Sequence, residues 1–128
     1  MDTLHNAKEL EQELSQFCGS TSLFKLSLFN TYYTEGIAHL VEKAKCHWFL
    51  IDASAKAKLL AKKYDFITVK LKMLSKQEQA KTGYMLAIDF TDGNENVINT
   101  ITYSYSDFPL QEIELYFINN TLLLPSEY

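Results

Sequence analysis

The sequence predicts an α+β fold in which two or three N-terminal helices pack on one face of a four- to five-stranded antiparallel sheet arranged as a meander. Apolar residues recur with the period of a helix in the first half of the chain and with the two-residue period of a strand from residue 66 onward. The 128 residues are 47% hydrophobic and 22% charged. This size and composition are typical of one globular domain, expected here to span residues 1–128.

The helical half contains three candidate segments. A helix is predicted over residues 3–17, where leucines recur at helical spacing. Thr34 is a helix-capping residue, and the apolar positions after it predict a helix to about residue 44. Helical structure is expected to resume at Trp48, a largely buried residue in this interpretation, and to continue to residue 61.

The strands are predicted from alternating apolar and polar residues separated by turn chemistry. The run TDGNEN at residues 91–96 is typical of a tight turn between strands. Residues 75–82 are polar and are interpreted as a connection. The predicted strands, including a short apolar run that is either a strand or an extended segment, lie near residues 23–29, 66–74, 84–90, 97–105, 113–117 and 121–125.

Charge is distributed unevenly along the chain. All 12 lysines and 9 acids lie in residues 1–81, whereas 7 acids and no base lie in residues 82–128. The chain has no Arg, the residue most used for bidentate contacts to phosphate and guanine, so direct nucleic-acid binding is not expected. An acidic region without cations favours either a basic protein partner or solubility alone. The residues predicted to bind a partner are Asp92, Glu95, Asp107, Glu112 and Glu114.

No catalytic, cofactor-binding or metal-binding site is predicted, and the protein is expected not to be an enzyme. The sequence lacks a phosphate-binding P-loop, a Gly-rich dinucleotide fingerprint and a GxSxG nucleophile elbow. Cys46 and His47 are adjacent in sequence, which disfavours a zinc site that would need Cys18 as well. Both cysteines are expected to be reduced, and the apolar surroundings of Cys46 predict an inert thiol.

A cytoplasmic protein without membrane contact is expected. No apolar stretch approaches the roughly 20 residues of a membrane-spanning helix, and the polar N-terminus lacks the features of a signal peptide. Exposed edge strands are compatible with a symmetric homodimer.

Six segments resemble those of one protein family: FCGST (17–21), YYTEGIAHLVEKA (32–44), HWFLIDA (47–53), FTDGN (90–94), YSDFPL (105–110) and LLLPSEY (122–128). Together they resemble an uncharacterised family of small bacterial proteins, catalogued as a domain of unknown function and often found on plasmids, phages and other mobile elements. The resemblance covers nearly the whole chain. It departs from the family pattern at His47, where Tyr is usual, and at Glu95, where a second Gly is usual.

The resemblance implies an accessory protein of mobile DNA and brings no established activity. With the acidic region, this context predicts a protein-binding inhibitor of host defence of the anti-CRISPR kind. The expected partner is a host protein, such as a defence effector that holds nucleic acid in a basic groove. Two alternatives remain open: a nucleic-acid-binding accessory module using Lys56, Lys58, Lys62 and Lys63, or an enzyme with a dispersed site.

Overall fold

The computed structural model describes residues 3–17 and 22–128. Within these residues the chain forms four α-helices, a 3₁₀ turn at Pro125–Glu127 and one sheet of seven strands. The helices are α1 (Thr3–Leu14), α2 (Glu35–Ala44), α3 (His47–Leu60) and α4 (Lys76–Thr82). The strands are β1 (Leu23–Leu26), β2 (Thr31–Thr34), β3 (Phe66–Met73), β4 (Leu86–Thr91), β5 (Val97–Tyr103), β6 (Glu112–Ile118) and β7 (Thr121–Leu123). Among the described helices, none has the length and apolar character that crossing a membrane requires.

The strand order of the sheet is β1-β2-β7-β6-β3-β4-β5. Every neighbouring pair is antiparallel except β2 and β7, which run parallel. After β5 the chain returns across the sheet and β6 pairs with β3, which gives these four strands the order of a Greek key. The predicted meander is therefore wrong. The returning segment is anchored by Phe108 and Leu110, which are both buried in the core.

The core lies between one face of the sheet and the helices. On β3, the side chains of Ile67, Val69 and Leu71 are fully buried, and the residues between them turn to the opposite face. Phe49 on α3 is buried in the same core, whereas Trp48 beside it is only half-buried. Trp48 lies at the edge of this core, where its ring packs against Tyr103 of β5, so its burial is incomplete.

The α+β class is confirmed, but the predicted numbers of strands and helices are wrong. The strand β2 has only four residues and leads directly into α2, so it is too short to show alternation. The polar residues 75–82 contain α4, which begins with a reciprocal cap: the Glu78 amide donates to Ser75 Oγ at 3.1 Å, and the Ser75 amide donates to Glu78 Oε1 at 3.2 Å.

The chain end is fastened to the start of α2 by the carboxylate of Glu127, which is only 8% exposed. Its Oε1 accepts hydrogen bonds from Thr34 Oγ1 at 2.6 Å and from the Leu124 amide at 3.0 Å. Its Oε2 accepts from the Gly36 amide at 3.1 Å, and Thr34 Oγ1 itself caps α2 by accepting from the Ile37 amide at 3.3 Å. The carboxylate thus satisfies amides that the first turn of a helix leaves unpaired.

Gly36 leaves the space that this contact needs. A Cβ atom at this position would lie 2.5 Å from Leu124 Cδ1 and 2.7 Å from Glu127 Oε1. The segments YYTEG and LLLPSEY, which are distant in sequence, therefore meet at one tightly packed junction.

We predict that Glu127→Gln lowers the free energy of unfolding by about 1–3 kcal/mol, measured by urea denaturation. The amide replaces one acceptor oxygen by a donor, so at least one buried donor loses its partner. Glu112→Gln is the matched control, since Glu112 is exposed on β6, and it should change stability by less than about 0.5 kcal/mol. Equal stability of the two variants would contradict the structural role of Glu127.

Candidate functional site

The face of the sheet that does not pack on the helices is polar. Alternate residues of the three central strands line a shallow depression of about 350 Å³ on this face. Its lining includes Thr68, Lys70, Lys72, Asp89, Thr91, Glu95, Glu112 and Glu114. Four carboxylates and two lysines therefore share one surface.

The lysines of β3 lie between the carboxylates of the neighbouring strands. Lys70 is directly opposite Asp89 on β4 and Glu114 on β6. Lys72 Nζ lies 3.1 Å from Asp89 Oδ2, and Thr100 Oγ1 donates to Asp89 Oδ1 at 2.9 Å. Charges that are separated along the sequence are therefore mixed in the fold. The reason is that β3, which carries the two lysines, lies between β4 and β6, two strands of the acidic region.

The five predicted partner-binding residues do not form one patch. Glu112 and Glu114 are neighbours on one face of β6, and Glu95 lines the same depression from the β4–β5 turn. Asp107 lies apart, in the connection before β6, and lines another depression with Lys45. The structure therefore brings three of the predicted residues together and separates Asp107 from them.

Asp92 is held inside the β4–β5 turn. Hydrogen bonds from the Asn96 side chain at 3.0 Å and from the Asn94 amide at 2.9 Å lower the pKa of Asp92 below its ordinary value. Gly93 and Glu95 have φ angles of 87° and 67°, which L side chains rarely adopt. The predicted turn is confirmed, and the positive φ at Glu95 is a conformation that Gly adopts more readily than other residues.

One part of β6 has an open edge. Residues Glu112–Leu115 pair with β3 on one side, but on the other side the ladder with β7 stops at Tyr116 and Leu123. After β7, the Leu124 amide donates to Glu127, and Pro125 has no amide proton with which the ladder to β6 could continue. In the part of the chain that the structure describes, no strand covers this half of β6.

A groove of about 290 Å³ runs beside the open edge. Its apolar lining comes from α1, β6 and the segments on either side of β6, with Leu14, Leu110, Ile113 and Leu124. Its carboxylates are Glu11, Glu112 and Glu114, and no lysine lines it among the described residues. Sequence reasoning identified Glu112 and Glu114 but missed Glu11, because nothing in the sequence indicates that α1 lies beside β6.

This arrangement can bind an extended peptide. An open strand edge offers backbone donors and acceptors to an added strand, and the apolar groove offers space for side chains. The carboxylates would attract basic residues of such a strand.

The lysines considered for nucleic-acid binding are divided in space. Lys58 Nζ donates to Asn120 Oδ1 at 3.1 Å, and Lys56 is half-buried on α3. Lys62 and Lys63 are exposed in the turn that follows α3. The structure therefore does not present the four lysines as one continuous exposed group.

Cys46 is buried, and its Sγ donates a weak hydrogen bond to the Leu40 carbonyl at 3.9 Å. Burial is the main cause that raises the pKa of Cys46 to about 12. The neighbouring His47 is exposed. Within residues 7–17 and 22–128, no three His, Cys, Asp or Glu side chains are placed to hold a metal ion, and Cys18 lies outside the described residues.

We predict that Cys46 resists alkylation while the protein is folded. In a Cys18→Ser background, iodoacetamide labelling at pH 8 should accelerate by about a thousandfold on unfolding in urea, since the thiol pKa falls from about 12 to about 9.0. The same shift makes the neutral thiol stabilise the fold below pH 9, a contribution lost as the pH rises toward 12. Labelling of the folded protein at the rate of a free thiol would contradict this account.

Comparison with known proteins identifies the chain by its sequence family. The sequence profile of a family of unknown function, DUF6876, matches residues 8–128. No curated protein matches the chain, and no solved structure matches it. The matched region includes both segments joined at Glu127 and the whole of the open edge of β6. The chain belongs to the family of unknown function DUF6876.

Proposed function

We propose that the protein is a non-enzymatic accessory protein that binds a host protein through the open edge of β6. The observation that carries this proposal is the coincidence of three features at one place. An unpaired strand edge, an apolar groove and the carboxylates of Glu11, Glu112 and Glu114 all occur at residues Glu112–Leu115 and their surroundings, with Lys72 and Lys70 opposite the last two on β3.

Strand geometry defines the chemistry of the partner segment. Successive side chains of an added strand would point alternately to the apolar groove and to the polar face of the sheet. Side chains on the polar face would lie opposite Glu112 and Glu114, about 5 Å away between Cβ atoms. The partner segment should therefore alternate basic and apolar residues.

The open edge is short, so it would hold only part of a partner. Four residues of β6 extend over about 13 Å, which is less than a standard protein interface requires. The adjoining depression, with Glu95 and Asp89, extends the same surface across the sheet. A partner that presents a basic segment together with a wider basic surface fits both parts.

The resemblance to proteins of mobile elements supports a host partner, and the specific form we propose is an inhibitor of host defence of the anti-CRISPR kind. Defence effectors that hold nucleic acid carry basic grooves and segments. Those basic segments have the chemistry that the edge of β6 would bind.

The direct test uses a short fluorescent peptide that alternates lysine and valine. Fluorescence anisotropy should show binding that weakens at least about tenfold when Glu112 and Glu114 are both changed to Lys, because attraction is replaced by repulsion. Glu42→Lys with Asp65→Lys is a control of equal charge at exposed positions outside the groove, and it should retain binding. Asp107→Lys should also retain binding.

A pull-down from nuclease-treated host lysate then identifies the partner. The same protein should be captured by the native chain and by the control variant and lost with the Glu112→Lys, Glu114→Lys variant. Capture that is unaffected by the reversal of Glu112 and Glu114 would contradict the proposed docking site. Recovery of nucleic acid from a parallel lysate without nuclease, with no protein retained after nuclease treatment, would instead favour the lysines at the end of α3.

A further inference from the structure

A further depression, of about 280 Å³, lies where α3 begins and β5 ends. Its lining consists of Trp48, Tyr103, Tyr105, Ser106 and Asp107. None of these residues lines the groove beside β6, so the two sites are separate. The proposed docking function does not account for this depression.

Two aromatic rings of the depression, those of Trp48 and Tyr103, pack edge to face. The Trp48 and Tyr103 rings have centroids 5.1 Å apart and an interplanar angle of 65°. Tyr105, two residues beyond Tyr103, is 74% exposed. Such a large apolar ring at the surface of the depression is available to a ligand, and rings at different angles can present more than one face to it.

Hydrogen bonds hold the rings and the adjoining loop in place. The Tyr103 hydroxyl donates to Asp52 Oδ2, and burial together with this contact raises the pKa of Tyr103, so the phenol stays neutral. The Ser106 amide lies 3.3 Å from Met85 Sδ, and the Phe108 amide donates to Ser106 Oγ at 3.0 Å. The loop that carries Tyr105 and Asp107 is thereby held against Met85, the residue before β4, and by a hydrogen bond within the loop itself.

We propose that this depression binds a quaternary or methylated ammonium group against the aromatic surface formed by Trp48, Tyr103 and Tyr105, with Asp107 as its counter-charge. The negative face of an aromatic ring attracts a cation, and Trp does so most strongly. A methylated ammonium also has an apolar surface that packs against rings, which a small hydrated metal ion lacks. The volume is slightly below that of common ligand pockets, so it suits a head group and not a whole cofactor.

The ammonium group has two sources that share this chemistry: a free compound such as choline, or a methylated lysine side chain on a protein. The site itself recognises the head group. The rest of the ligand, a short alcohol or a polypeptide, would extend out of the depression past Tyr105.

The test uses the fluorescence of Trp48, which is the one tryptophan of the chain. Titration with choline should give a saturable change in emission. The neutral isostere 3,3-dimethylbutanol, in which carbon replaces nitrogen, should give at least about tenfold weaker binding, since only the cation is attracted by the ring faces. Equal responses to choline and the isostere, or no response to choline and to a trimethyl-lysine peptide, would overturn the proposal.

Variants connect the response to this depression. Tyr105→Ala should weaken binding by about tenfold, and Asp107→Asn should weaken it and reduce its dependence on salt. Tyr32→Ala is the matched control, because Tyr32 is an exposed tyrosine on β2, across the sheet from β5, and it should leave the affinity unchanged. Tighter binding of a trimethyl-lysine peptide than of choline would assign the site to a modified protein, and the reverse to a free compound. Unchanged affinity in Tyr105→Ala would contradict the site.

Discussion

The buried carboxylate of Glu127 connects the end of the chain to the start of α2, and the shape of the proposed docking site depends on it. The Leu124 amide donates to Glu127, which holds in place the residues after β7, Leu124 and Pro125, that line the groove beside β6. The same carboxylate accepts from Thr34 and Gly36, which fixes β2 and α2 against the chain end. A contact that stabilises the fold thus also fixes the residues next to an unpaired strand edge, a feature that proteins usually protect.

The segment between β5 and β6 links the two proposed binding sites. Its Asp107 belongs to the aromatic depression, whereas its Leu110 lines the groove beside β6. Between them Phe108 is buried, with its ring 6.3 Å from that of Phe49 on α3. Both sites include residues of this one segment. A ligand in the aromatic depression and a peptide on β6 would therefore both contact it.

Features that depend on local pattern were predictable, and features that depend on distant pairing were not. The alternation of β3, the helix capped by Thr34 and the turn at Asp92 all follow from residues close in sequence. The cap between Ser75 and Glu78 is equally local, but the residues around it are polar and were interpreted as a connection. By contrast, the place of β6 beside β3 and the buried state of Glu127 result from contacts over many residues. The distribution of charge in the fold could not be predicted for the same reason. Lys70 lies among the acidic residues only because β3 pairs with β4 and β6.

Hydrogen exchange of the backbone amides tests the central claim, that β6 offers an open edge to a basic extended segment. The experiment compares the protein alone with the protein saturated by the peptide that alternates lysine and valine. The account predicts slower exchange at amides within Glu112–Leu115 and no change in β5, the exposed edge at the far side of the sheet. Slower exchange in β5 with unchanged exchange at Glu112–Leu115 would contradict it, because the peptide would then bind at the other edge of the sheet and not at the acidic groove.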